Sequence, residues 1–134
     1  MSSREWRYAI AVFLGVMFDA VFFWKFRPYN LREHGPDPLP WYLLPILAFV
    51  AGLALTIALK GQKRWIPTVM LGGFCAANAC LIVVDCSADP TNHNLWPFEF
   101  VMIAVAMAPA FLGAWVSGIV DRIRKPQLVQ SQDR

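Results

Sequence analysis

Apolar residues along this chain gather in four long runs, 6–24, 41–59, 65–84 and 95–120, with short polar stretches between them. A run of 19 residues, wound as a helix at about 1.5 Å per residue, covers about 28 Å, enough to cross a hydrocarbon core. The first run is bounded by rings, Trp6 and Tyr8 at one end and Phe22, Phe23 and Trp24 at the other. Amphipathic rings favour the headgroup level of a bilayer. The pattern predicts an all-α membrane protein: a four-transmembrane-helix antiparallel bundle, one domain over 1–126, with a disordered cytoplasmic tail over 127–134.

Proline sharpens the boundaries. Pro28, Pro36, Pro38 and Pro40 make 25–40 an extended outer arm, since proline lacks a donor and biases its predecessor away from helix. Pro45 and Pro67 fall near the starts of the second and third runs, where a missing N–H costs least. Pro109 is the predicted kink point of the fourth and longest run. The turn over 60–64 is short enough to predict a helical hairpin of the second and third helices. A second outer loop spans 85–94.

Composition agrees with lipid as the solvent. The chain is 57% hydrophobic with mean hydropathy +0.46, above the usual soluble range of about 45–50% apolar residues. Its net charge of +3 points to nucleic acid only if the basic residues form a patch. They sit instead in small clusters at the ends of apolar runs, so no nucleic-acid partner is expected. Cys75, Cys80 and Cys86 form no Cys-x-x-Cys and no disulfide framework; the first two read as small packing residues. Arg4 and Arg7 before an apolar run resemble a signal peptide, but no small-x-small cleavage site follows, so an uncleaved first helix is expected.

Charge also predicts orientation. Four crossings place Arg4, Arg7, Lys60, Lys63, Arg64, Arg122, Arg124, Lys125 and Arg134 on one side, against Lys25, Arg27 and Arg32 on the other. Basic loops stay inside, so both termini are expected in the cytoplasm of a multi-pass protein of the cell or inner membrane.

Small residues predict the packing. Helices associate in lipid by close approach, and four-residue spacing keeps residues on one stripe. The second run offers Ala48, Gly52 and Thr56, the third Gly72 with Ala76 and Gly73 with Ala77, and the fourth Ala106, Ala110, Ala114 and Gly118. The expectation is that helices 2, 3 and 4 meet along these stripes. The first helix, rich in Phe and Val, is expected to pack more loosely or to contact a partner.

A candidate polar cluster gathers at the outer face: Asp19, His34, Asn78, Asp85, His93 and Glu99. Asp19 lies inside the first run, where a carboxylate costs roughly 2.5–3.5 kcal/mol at the centre and less toward the edge. It must face the bundle, either as a proton- or cation-binding group or as a structural partner of Lys25, Arg27 or Asn78. Asn78 reads as a polar contact between helices, and Asp85 as the end of helix 3. Glu99 follows Pro97 at the start of helix 4, where the unpaired N–H groups and positive end of the helix favour a carboxylate. His34 and His93 lie in outer loops without metal-ligand spacing, so no metal is expected. No catalytic motif and no cofactor-binding motif is present.

Four short helices with one carboxylate in the first resemble, in architecture, the small multidrug-resistance transporters. Here the acid is an Asp near the outer edge, the first outer loop is long and proline-rich, and the fourth run is the longest. Three functions compete. The leading one is a non-enzymatic structural or accessory subunit, with the lipid bilayer and a protein partner or homo-oligomer as its contacts. The alternative is a proton- or cation-coupled small-molecule transporter acting as a homo-oligomer. An outer-face enzyme using His34, His93 and Glu99 lacks a nucleophile or cofactor.

Overall fold

The computed structural model describes residues 3–22, 40, 42–59, 65–88 and 96–132, and among them every regular element is an α-helix. In chain order these are α1 (Ser3–Phe22), α2 (Leu43–Leu59), α3 (Trp65–Ala88) and α4 (Trp96–Gln132). The arm residues 23–39, the 60–64 turn and the 89–95 loop lie outside the described residues.

Local chemistry accounts for the ends. Leu43 N donates to Pro40 O at 2.9 Å, so a turn leads into α2, and Pro45 occupies its first turn. Pro67 does the same for α3. That helix runs to Ala88, four residues beyond the expected end at Val84, so Asp85 is helical rather than the start of a loop. Nothing in Asp85–Ala88 breaks a helix, and the Ser87 hydroxyl donates to the Val84 carbonyl at 2.6 Å. The first breaker is Pro90, which disfavours helix at the residue before it.

The helix α4 also outruns its expected length. It is continuous across Pro109 and Pro126 to Gln132, where a disordered tail over 127–134 was anticipated. Once a helix exists, each further residue adds a hydrogen bond without a new nucleation cost. Asp121 to Lys125 contain no residue that opposes propagation.

The helices pack as two crossed pairs, α1 on α3 and α2 on α4. A smaller contact between α3 and α4 joins the pairs, while α2 touches α3, and α1 touches α2, only slightly. The expected hairpin packing of α2 on α3 is therefore replaced by α2 on α4. The reason is visible at the crossings. A Cβ built on Gly52 would meet the Ala110 backbone, its Cα at 2.8 Å, and one on Gly113 would meet Phe49 O and Leu53 N. Only glycine lets these two backbones come so close.

The first helix is not loosely packed either. Ala11, Gly15, Asp19 and Phe22 form its buried stripe, and a Cβ on Gly15 would strike Met70 O and Phe74 N. Gly73 lies equally close to Val12. The stripes proposed for α2 are buried as expected, at Ala48, Gly52 and Thr56. In α3 the Gly73–Ala77 pair is buried, whereas Gly72 faces open space and Ala76 is exposed. In α4 the buried seam is Ile103, Met107, Ala110, Gly113, Ala114 and Ser117; Ala106 and Gly118 lie at its margin.

A few polar side chains sit within an apolar core, and large apolar side chains also cover the outside. Asp19, Thr56, Asn78 and Ser117 are buried, while Phe13, Ile46, Val50, Val105, Leu112 and Trp115 stand outward. Trp65–Val84 and Pro97–Val120 are long and apolar enough to cross a membrane, and Leu43–Leu59 is a shorter apolar helix.

Candidate functional site

The polar chemistry of the described residues concentrates along α3, which packs against α1 and, more lightly, against α4. On α1, the stripe Ala11–Gly15–Asp19 advances four residues at a time and presents its members to one neighbour. On α3, Met70–Phe74–Asn78 is the matching stripe. Gly15 is seated on Met70 and Phe74, and the next member of each stripe is polar: Asp19 on α1 and Asn78 on α3. Asp19 lies within electrostatic reach of the Cys75 thiol, which places it at this level of α3.

Burial sets the energetics. Asp19 and Asn78 are both 0% exposed. The Asn78 side chain bridges to α4 by donating Nδ2–H to Glu99 Oε2 at 3.3 Å. Its carbonyl oxygen, Oδ1, is fully buried and accepts no hydrogen bond. An unfilled buried acceptor costs on the order of 1–3 kcal/mol, so the position calls for a donor or a cation. Glu99 is half-buried in the first turn of α4, where the helix dipole favours its charge. The dipole reading of Glu99 and its tie to Asn78 therefore coexist.

The six residues singled out from the sequence divide accordingly. Asn78 and Glu99 are joined by a hydrogen bond, and Asp19 is buried on the face of α1 that packs against α3. Asp85 belongs to α3, with its side chain outside the described set; His34 and His93 lie outside the described residues altogether. Cys75, read from the sequence as a small packing residue, does pack against the core, and it also lies within electrostatic reach of Asp19. Its spacing of three residues from Asn78 was the signal for it.

Other buried hydroxyls take no part. Thr56 Oγ1 donates to Gly52 O at 2.6 Å and Ser117 Oγ to Ala114 O at 2.7 Å, each satisfied within its own helix. Among the described residues, no three His, Cys, Asp or Glu side chains cluster as a metal centre would need. Comparison with known proteins leaves the chain on its own terms: no family model, no curated protein and no solved structure matches it.

Proposed function

We propose that this chain is an integral membrane protein of four crossings with both termini cytoplasmic, acting as a non-enzymatic structural or accessory subunit of a membrane assembly. The observation that carries the membrane reading is the apolar exterior of the packed helices. Buried Asp19, Asn78, Thr56 and Ser117 face inward while large apolar side chains cover the outside of all four helices. In water that arrangement would expose a large contiguous apolar surface. In lipid it is the expected partition.

The accessory role draws support from how the pairs are joined. Two tight glycine crossings are linked mainly through α3 and α4, with α1 and α2 scarcely touching. The apolar flanks of helices so arranged suit lipid or a neighbouring membrane subunit. Purification from the native membrane in mild detergent tests this. The expected particle contains a larger partner at fixed stoichiometry; a particle made of this chain alone contradicts the accessory role. A reporter fused after Arg134 is expected to be active only in the cytoplasm, and activity on the outer side would reverse the proposed topology.

One observation favours a second reading, a proton- or cation-coupled small-molecule transporter acting as a homo-oligomer. A carboxylate buried at Asp19 within an apolar helix is the kind of group that marks ion pathways in membrane proteins. On that reading Asp19→Asn abolishes transport while the oligomer still assembles. Loss of assembly together with activity would make Asp19 structural.

A further inference from the structure

We propose that the molecule is two rigid helix pairs, α1 with α3 and α2 with α4, that move against each other about the α3–α4 seam, with the Asn78–Glu99 hydrogen bond as the latch across it. The device goes beyond both functional readings above and rests on neither. An accessory subunit could use it to follow a partner's motion, and a transporter to change access.

Each pair is locked by a reciprocal glycine crossing, and the register is the same in both. Gly15 of α1 is seated against the carbonyl of Met70, three residues before Gly73, and Gly73 against the carbonyl of Val12, three residues before Gly15. In the other pair Gly52 meets the carbonyl of Ala110, three residues before Gly113, and Gly113 meets that of Phe49, three residues before Gly52. The residue after one glycine of each pair, Phe74 or Leu53, adds its backbone nitrogen to the contact. One crossing is thus built twice. Backbone lies on backbone at each, so no flexible side chain can yield, and neither pair slides or parts without losing its whole contact.

The pairs hold each other far less firmly. All four glycines of the two crossings face within a pair. Across the pairs, α3 meets α4 lightly, α2 touches α3 and α1 touches α2 only slightly, and among the described residues α1 and α4 make no contact. The seam carries the bond from Asn78 Nδ2 to Glu99 Oε2, which at 3.3 Å is longer than a usual N–H···O bond. Asn78 is buried, so parting this bond strands a polar group away from water, which favours the closed state without locking it. Rotation about the seam opens the side between α1 and α2, where little resists it. Firm bodies on a light contact are the usual parts of a hinge or shear transition.

Distances between spin labels on the full chain in detergent test the device, with Cys75→Ala and Cys86→Ala as background. Phe13→Cys with the native Cys80 spans α1 and α3; Val50→Cys with Leu112→Cys, in Cys80→Ala, spans α2 and α4; Phe13→Cys with Val50→Cys, also in Cys80→Ala, spans the pairs. All of these positions are exposed. The expected result is one narrow distance within each pair and a broader distribution between them. Asn78→Leu adds a longer population to the distance between the pairs and leaves both distances within pairs unchanged. Glu99→Leu, at a half-buried position, does the same from the other side of the bond and serves if the first variant does not fold. Glu99→Gln keeps an acceptor oxygen and retains the parental distances. Distances between the pairs that stay parental in both leucine variants overturn the latch. Distances within a pair that broaden along with those between pairs overturn the rigid bodies. Either failure leaves the membrane and accessory-subunit readings intact, since those are judged by extraction and by the composition of the native particle.

Discussion

Gly15→Ala and Gly52→Ala are each expected to destabilise the protein by roughly 1–3 kcal/mol, the range for overpacking a well-filled contact. Ordinarily alanine in place of a helical glycine stabilises by up to about 1 kcal/mol, because it lowers the backbone entropy of the unfolded chain. Here the added methyl has nowhere to go. At Gly15 it would lie 2.9 Å from Phe74 N and closer still to Met70 O; at Gly52 it would press on the Ala110 backbone. Backbone atoms within a helix cannot step aside as a side-chain tip can, so the helix pairs must separate. Gly72→Ala is the control, since nothing lies within 4 Å of its added Cβ. That variant should melt at or above the parent temperature. Equal behaviour of Gly15→Ala and Gly72→Ala in detergent melts would mean that α1 does not pack on α3 as described.

Val105→Arg should remove most of the protein from the membrane. Val105 lies within the apolar span Pro97–Val120 of α4 and is 69% exposed, with no role in the interior. At such a site on a water-soluble protein a charged residue changes stability by no more than about 0.5 kcal/mol and aids solubility. At the centre of a membrane helix arginine costs roughly 2.5–3.5 kcal/mol on insertion scales. The two environments thus predict opposite results from one change. Quantitative blotting of membrane and soluble fractions distinguishes them: a fall in the membrane-integrated fraction is expected, and a wild-type level would place Val105 in water.

The helices themselves were legible because long apolar runs bounded by Pro and charge leave few alternatives. The choice of neighbours was not. A short 60–64 link argues for α2 beside α3, yet the partner that complements Gly52 is on α4, at Ala110 and Gly113. Complementarity of this kind depends on two stripes at once and is invisible along either alone. Gly72 and Gly73 show the same limit, since adjacent helical positions differ by about 100° in direction and only the neighbour decides which is buried. For α1, the abundance of Phe and Val drew attention to its outer face. Ala11 and Gly15, spaced by four and followed by Asp19, held the packing signal.

The site was partly legible for a related reason. A carboxylate or an amide within an apolar run is conspicuous, which singled out Asp19 and Asn78 before any packing was known. The bond from Asn78 to Glu99 joins residues 21 apart and follows from the contact of α3 with α4. No spacing rule reaches across two helices. Cys75 was passed over because a thiol in an apolar run is ordinarily a small packing group.

The claim on which the rest depends is that these helices lie in a bilayer with their polar groups inside. Alkaline carbonate extraction of membranes from cells making the full chain tests it most directly, because carbonate strips peripheral proteins and leaves integral ones embedded. The account predicts that the chain stays in the carbonate-washed pellet and leaves it only with detergent. Recovery of the chain in the carbonate supernatant would contradict it.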